Sequence, residues 1–493
     1  MIYIDREANF DKKRIFFYEK DNFSEEPRED STHYRNSKYN LKMSSEFMLN
    51  LAEFAQKLRI DDLSQEVIEH SRYIVLDTVG TMLAGASLTE IKALSEMSNS
   101  LGGPGGATLM GCQQTSSPYF ASFVNGTGAV SLELDEGNQY AINHPSVHIL
   151  PAALALAEEN KQSGAEFLSA FIAGYEISVR IGLATHLREA VHPFGTYTIV
   201  GTAAAASKLL KFDKDHMVQA LNLAAGMCIA SSQKAANAGA SVRNLATGLT
   251  NYNGLIAPFL VRAGFTGDPK SFSTIFGGIL GDSFREDKLE EDLGRTFYIT
   301  RNYFKPYACS RWNHAPIEAI ASMYSKRPFD PKDVEEITVW TYDPATRLSC
   351  NDPPNGYAAK HSIPYNVAAR LVLGTNDIDA YSDDVLLNPH IQNIARRVKV
   401  REDPKMTSKL PDVRPARVEV KLCTGDTLDE SIDRPRGGFD NPLSKDELLE
   451  KFHRLAGMTL PRASVSELVT KLATLDELED ITLLSPLMQR TKL

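Results

Sequence analysis

The sequence predicts a mainly α protein: a discontinuous all-helical large domain whose two parts flank a region of mixed α and β structure. Three observations carry this. Before residue 300, long segments repeat apolar residues at helical spacing and are rich in alanine and glycine, as in a compact helical core. Between residues 333 and 432 the pattern changes to alternation, the period of half-buried strands. After residue 443 the helical period returns.

Composition narrows the function classes. A chain of 493 residues, 43% of them hydrophobic, supports one large domain or two to three smaller ones. A net charge of −10 argues against a nucleic-acid partner. No run reads as long enough to span a membrane, so no membrane partner is expected. The five cysteines are scattered, with no C-x-x-C, so neither a disulfide framework nor a cysteine metal site is expected. That fits a reducing compartment, and the cytoplasm is expected. The terminal Thr-Lys-Leu only loosely resembles a peroxisomal signal; peroxisome and mitochondrion are the alternatives. No H-E-x-x-H, phosphate loop or G-x-G-x-x-G occurs.

Residues 1–46 are charged and lack an apolar period, which predicts a disordered extension. LNLAEFAQKL is a first amphipathic helix. Ser64 caps a second, with Val67, Ile74, Val75, Val79, Met82 and Leu83 at helical spacing. GGPGGATLMGC is a glycine-rich link. Pro118 to Leu132 is a helix rich in small residues, which let helices approach closely. Further helices are expected over roughly 164–186, 195–212 and 214–230. SSQKAANAGASVRNLATGLTNYNGLIA starts polar and becomes helical. The segment 266–284 reads as a loop and short helix over the site. YITRNYFKPY alternates and should be extended, leaving Lys305 at a strand-to-helix junction before NHAPIEAIASMY. DVEEITVWTY and RPARVEVKLCTGDTLDESI read as strands, the latter a hairpin turning at Thr424–Gly425. Residues 358–374 form a helix with a polar entry, and 443–488 are helical and rejoin the first domain.

The chemistry concentrates in Ser131 to Glu159. Glu133, Asp135 and Glu136 precede a Gly/Asn turn, and His144 and His148 follow it. Acids and histidines so placed can supply both halves of a proton transfer. A helix end with capping acids and a surface histidine is the competing reading. His192 precedes Pro193 and Gly195 at a helix start, where free amides suit an anion. Arg243, surrounded by apolar helix, can hold a carboxylate in a two-pronged hydrogen bond.

These pieces resemble the MmgE/PrpD family: LELDEGNQYAINHP, VHPFGT, SVRNLATG, FKPYACSRWNHAPIEA and AAKHSIPYNVAA, in order from about Phe47 to Leu487. The resemblance implies a helical large domain over 47–300 and 440–493, an inserted α+β lid over 301–439, and a site between them. It implies catalytic roles for His144, His192, Asp135 and Lys305. It implies substrate binding by Glu133, Asn138, Arg243, Lys360, Ser362 and Tyr365. No cofactor and no metal are implied. The implied partners are a small di- or tricarboxylic acid and a second copy of the chain in a homodimer.

The family's decarboxylases carry a histidine five residues after the hinge lysine, where this chain has Ser310. The resemblance therefore implies metal-independent dehydration of a 2-methylcitrate-like hydroxy acid. The alternatives are cis-aconitate-type decarboxylation, epimerisation of a small di- or tricarboxylic acid, or a catalytically degenerate binding dimer. The three reactions share a carbanion alpha to a carboxylate. His192 and His144 would be base and acid, and Arg243 and Lys305 would neutralise charge.

Overall fold

Each segment with helical spacing has an apolar face to bury, and the fold is built by burying them. The computed structural model describes residues 45–490. The expected 1–46 extension lies outside the described residues except for Ser45 and Glu46. The helix Glu46–Lys57 buries Phe47, Met48, Leu51, Ala52 and Ala55, one stripe of its surface. Ser64 caps Gln65–Gly85 by accepting from the Val67 amide at 3.3 Å. Pro118–Ser131, Pro145–Glu159, Gly164–Ala184, Thr198–Leu209, Lys214–Gly226 and Val242–Arg262 follow. Their close approach depends on glycine. A Cβ on Gly174 would overlap the Gly201 carbonyl oxygen, and one on Gly85 would overlap that of Gly128.

Among the described residues one single helix, Gly164–Ala184, is long and apolar enough by composition to cross a membrane, which corrects the expectation of none. In this fold 94% of its most apolar stretch is buried. Helices pack around it, so its apolarity serves the core.

The alternating segments form a four-stranded sheet in the order Val398–Glu402, Val334–Thr341, Ala416–Leu422, Thr427–Ile432. The first pair is parallel and the other two are antiparallel. Ile337, Val339, Val418 and Val420 share one core with Ile317 and Ile320 of His314–Lys326 and with Val367 of Ile363–Leu373. Leu132 and Leu134 belong to the same core. The residues on either side of Glu133 are therefore anchored by the packing of the mixed region.

Three segments depart from expectation. YITRNYFKPY is a 3₁₀ turn over Tyr298–Arg301 and then a strand of only Asn302–Tyr303. Buried polar groups impose the turn: Glu176 accepts from the Ile299 amide at 2.8 Å, and Arg180 donates to the Thr296 carbonyl at 3.0 Å. The expected 358–374 helix is two, Gly356–Lys360 and Ile363–Leu373. Ser362 starts the second by accepting from the Tyr365 amide at 3.0 Å, with Pro364 in the first turn. Residues 266–284 form a wide helical turn, Phe272–Ile279, and a strand, Gly281–Phe284, paired with Thr185–Leu187.

Lys445–Ala456 returns to the helical part of the chain. Its Lys451 meets Asp77 of Gln65–Gly85 at 2.6 Å and donates to the Leu134 carbonyl at 2.7 Å. The described residues all fall in one compact unit. Replacing Asp77 by Ala leaves Lys451 buried without its counter-charge, and breaking such a pair costs about 3–5 kcal/mol. Chemical denaturation should show that loss. The double variant Asp77→Leu/Lys451→Met should recover most of it, because no lone charge is left buried.

Candidate active site

The site begins where the Pro118–Ser131 helix ends. Glu133 takes a φ of +58°, a left-handed backbone that side chains other than glycine rarely adopt. The conformation turns its carboxylate inward, where Arg243 pairs with one oxygen and Lys305 donates to the other at 3.0 Å. Lys305 also donates to Asp135 at 3.3 Å. Asp135 in turn lies 2.5 Å from Nδ1 of His144. Asp135, Glu136 and Lys305 are fully buried. Burial alone would raise the Asp135 carboxyl, but Lys305 and His144 outweigh it and bring it down to about 2. Glu133 is likewise held well below its ordinary value, against burial, by Arg243 and Lys305. Burial would lower Lys305, but Asp135 and Glu133 raise it, so it stays protonated.

These contacts set two imidazoles in opposite senses. The ionised Asp135 beside Nδ1 of His144 favours the tautomer that carries its proton there, leaving Nε2 as the basic nitrogen, 3.3 Å from the Tyr303 hydroxyl. His192 instead accepts from the Phe194 amide at Nδ1, at 3.2 Å, so its neutral form carries the proton on Nε2. Burial lowers His144. Burial, Arg243 and His361 hold His192 well below its ordinary value. Both are neutral near pH 7, one an acceptor and the other a donor. The Phe194 ring joins the cluster. His144, His148 and His192 meet it edge-on with centroids 5.2, 4.7 and 4.8 Å away, and the Arg243 guanidinium lies over it at 4.0 Å.

A cavity of about 300 Å³ opens onto this cluster. Glu133, His144, His192 and Arg243 line it, so the structure brings these four predicted residues together. Asp135 and Lys305 do not line it; they sit behind its wall, bonded to each other and to Glu133 and His144. Asn138, Lys360, Ser362 and Tyr365 are also not among the residues that line it. Their polar atoms are used by the protein itself. Asn138 accepts from the Tyr140 and Ala141 amides. Lys360 donates to the Leu132 carbonyl at 3.2 Å, and burial brings it down to about 8. Ser362 caps a helix, and Tyr365 donates to the Ala380 carbonyl at 2.6 Å.

Residues that sequence reading missed also line it: Tyr303, Arg311, Tyr342, His361 and Arg414. His361 lay within the recognised AAKHS piece between Lys360 and Ser362. It follows the last residue of a five-residue helix, and a motif alone does not say which of three neighbours faces a cavity. Arg311 follows Ser310, which also lines the cavity. Arginines 188, 243, 311, 347 and 414 line it against glutamates 133 and 189. That excess of positive charge suits a polyanionic acid. Among the described residues no three His, Cys, Asp or Glu side chains are placed to hold one metal ion.

Residues 49–289 match the MmgE/PrpD N-terminal domain, and residues 307–474 match the MmgE/PrpD C-terminal domain. The chain belongs to the MmgE/PrpD family. Cis-aconitate decarboxylase of Aspergillus terreus is 26% identical over 89% of this chain and 94% of its own. The protein of that name from Homo sapiens is 26% identical over 88% and 92%. The 2-methylcitrate dehydratase of Salmonella typhimurium is 23% identical over 71% and 76%. These relatives of the MmgE/PrpD chain are enzymes by name.

Glu136 lies behind this MmgE/PrpD site and offers a pH test of its packing. Burial pushes its carboxyl up to about 7, although the Ser146 amide donates to it at 3.0 Å. A carboxyl raised on folding binds more protons in the native state, so its stabilisation is full below the unfolded value and is lost as pH rises through the folded one. That window runs from 4.5 to about 7. Glu136→Gln should remove the dependence. The unfolding free energy of wild type minus variant should fall by up to about 3 kcal/mol between pH 4.5 and 7.5, as read by denaturant titration.

Proposed function

We propose that the protein is a lyase of a small tricarboxylic acid, dehydrating a 2-methylcitrate-like hydroxy acid without a metal. One observation carries the reading: a histidine base oriented by a buried carboxylate faces the same arginine-rich cavity as a histidine locked as a donor. In this reading, substrate carboxylates lie against the cavity arginines. His144 Nε2 takes the proton alpha to a carboxylate. Arg243 stabilises the negative charge that then develops on that carboxylate. The carbon–carbon double bond forms as the beta carbon–oxygen bond breaks. The departing hydroxyl takes a proton from His192 Nε2–H or from Tyr303 and leaves as water. Burial raises the Tyr303 hydroxyl, which keeps it a donor. Asp135 and Lys305 act through His144 and Glu133 rather than on the substrate.

Decarboxylation of a cis-aconitate-like acid is the second reading. The matches to proteins named cis-aconitate decarboxylase cover 88–89% of the chain, against 71% for the dehydratase of Salmonella typhimurium, and support it. Ser310 in place of a histidine counts the other way.

Purified protein incubated with 2-methylcitrate, citrate and cis-aconitate separates the readings. Dehydration should produce a new conjugated double bond by ultraviolet absorbance and no carbon dioxide. Release of carbon dioxide from cis-aconitate would replace dehydration with the second reading. Binding without any product would overturn both. His144→Gln removes the base, and general acid–base catalysis is worth ~10²–10⁴-fold, so turnover should fall by about that factor. Chelator should leave turnover unchanged.

A further inference from the structure

Arg311 and Arg414 stand apart from the other cations of the cavity. They are only 5% and 8% exposed. Arg243 is matched by Glu133, but the hydrogen bonds of Arg311 and Arg414 go to neutral groups. Arg311 donates to the carbonyl oxygens of Pro435 and Arg436 at 2.8 and 2.6 Å and lies 3.1 Å from His314 Nδ1. Arg414 donates to the Gln139 carbonyl at 3.1 Å. Nε of each is buried without a partner, as is Nε of Arg243, and so is the Tyr342 hydroxyl.

The fold brings the three residues to one wall. Thr341 pairs with Ala416 across the sheet, and the Thr341 hydroxyl donates to the Pro415 carbonyl at 3.1 Å. Tyr342 and Arg414 are therefore adjacent at the strand ends. Trp312, next to Arg311, meets the Tyr342 ring edge-on at 6.4 Å. Burial lowers the Arg311 guanidinium, Tyr303 and Glu318 act against that, and Arg414 adds to the lowering. Burial raises Tyr342 to about 12, so it remains a donor. Two arginines that line one cavity, each mostly buried and neither hydrogen-bonded to a carboxylate, are costly unless an anion meets them there.

We propose that Arg311, Tyr342 and Arg414 form a second carboxylate subsite, which holds a substrate carboxylate remote from the reacting carbon. The subsite selects acids with a carboxylate beyond those needed for the chemistry at His144. It deepens the reading of the protein as a tricarboxylic acid lyase and rests on it for the identity of the ligand.

The test is binding of two inert acids, propane-1,2,3-tricarboxylate and glutarate, by isothermal titration calorimetry. Wild type should prefer the tricarboxylate by about 10–100-fold, the range for hydrogen bonds to a charged group. Arg414→Met should collapse that ratio to near one, Arg414→Lys should keep part of it, and Tyr342→Phe should reduce it severalfold. No preference in wild type, or an unchanged ratio in Arg414→Met, overturns the subsite. Should the methionine variant fail to fold, an unchanged ratio in Tyr342→Phe overturns it instead. A wild type that prefers the tricarboxylate but turns over no acid keeps the subsite and loses the lyase. One that turns over its acid while binding both probes equally does the reverse.

Discussion

Lys305, fully buried between Glu133 and Asp135, is the contact on which the rest of the site depends. Two carboxylates this close in a low-dielectric interior would force one to take up a proton. Lys305 and Arg243 supply two positive charges to match them, and both acids stay ionised. An ionised Asp135 then holds the Nδ1 proton of His144 and frees Nε2 toward the cavity. The left-handed turn at Glu133 is tolerated because Leu132 and Leu134 are locked into the core on either side of it.

Phe194 does for the opposite side what Lys305 does for the acids. Its ring is a low-dielectric surface shared by His144, His148, His192 and Arg243. Burial there brings His148 down to about 3 and keeps all three histidines neutral. A neutral His144 can take a proton from a bound acid, and the positive charge it then carries is balanced by the ionised Asp135 beside it. The cavity is completed by residues of the later part of the chain, Tyr303, Arg311, Tyr342 and Arg414.

Much of this fold is legible in the amino-acid order, because helix and strand periods follow from which residues must be buried. The helices near 65–85, 118–131, 164–184 and 242–262 and the hairpin at Gly425 show it. YITRNYFKPY misleads because its alternation is aromatic, while the turn it adopts is imposed by Glu176 and Arg180 from a distant helix. The acids, His144, His192, Arg243 and Lys305 are legible as chemistry-bearing types, although His192 lies in a two-residue strand paired with Ser231–Ser232 rather than at a helix start. Their sharing of contacts is not.

The sequence by itself determined the mainly helical class, the family and the residue types gathered at the site. Only the tertiary structure decided which of them face the cavity. Lys305 and Lys360 are both lysines in recognised motifs, yet one is enclosed by carboxylates and the other by a carbonyl and aromatic rings. Arg311 and Arg414, more than a hundred residues apart in SRW and VRP, meet on one wall. The reason is physical: direction and partner depend on packing between elements far apart in the chain, and local pattern encodes only what each element must bury.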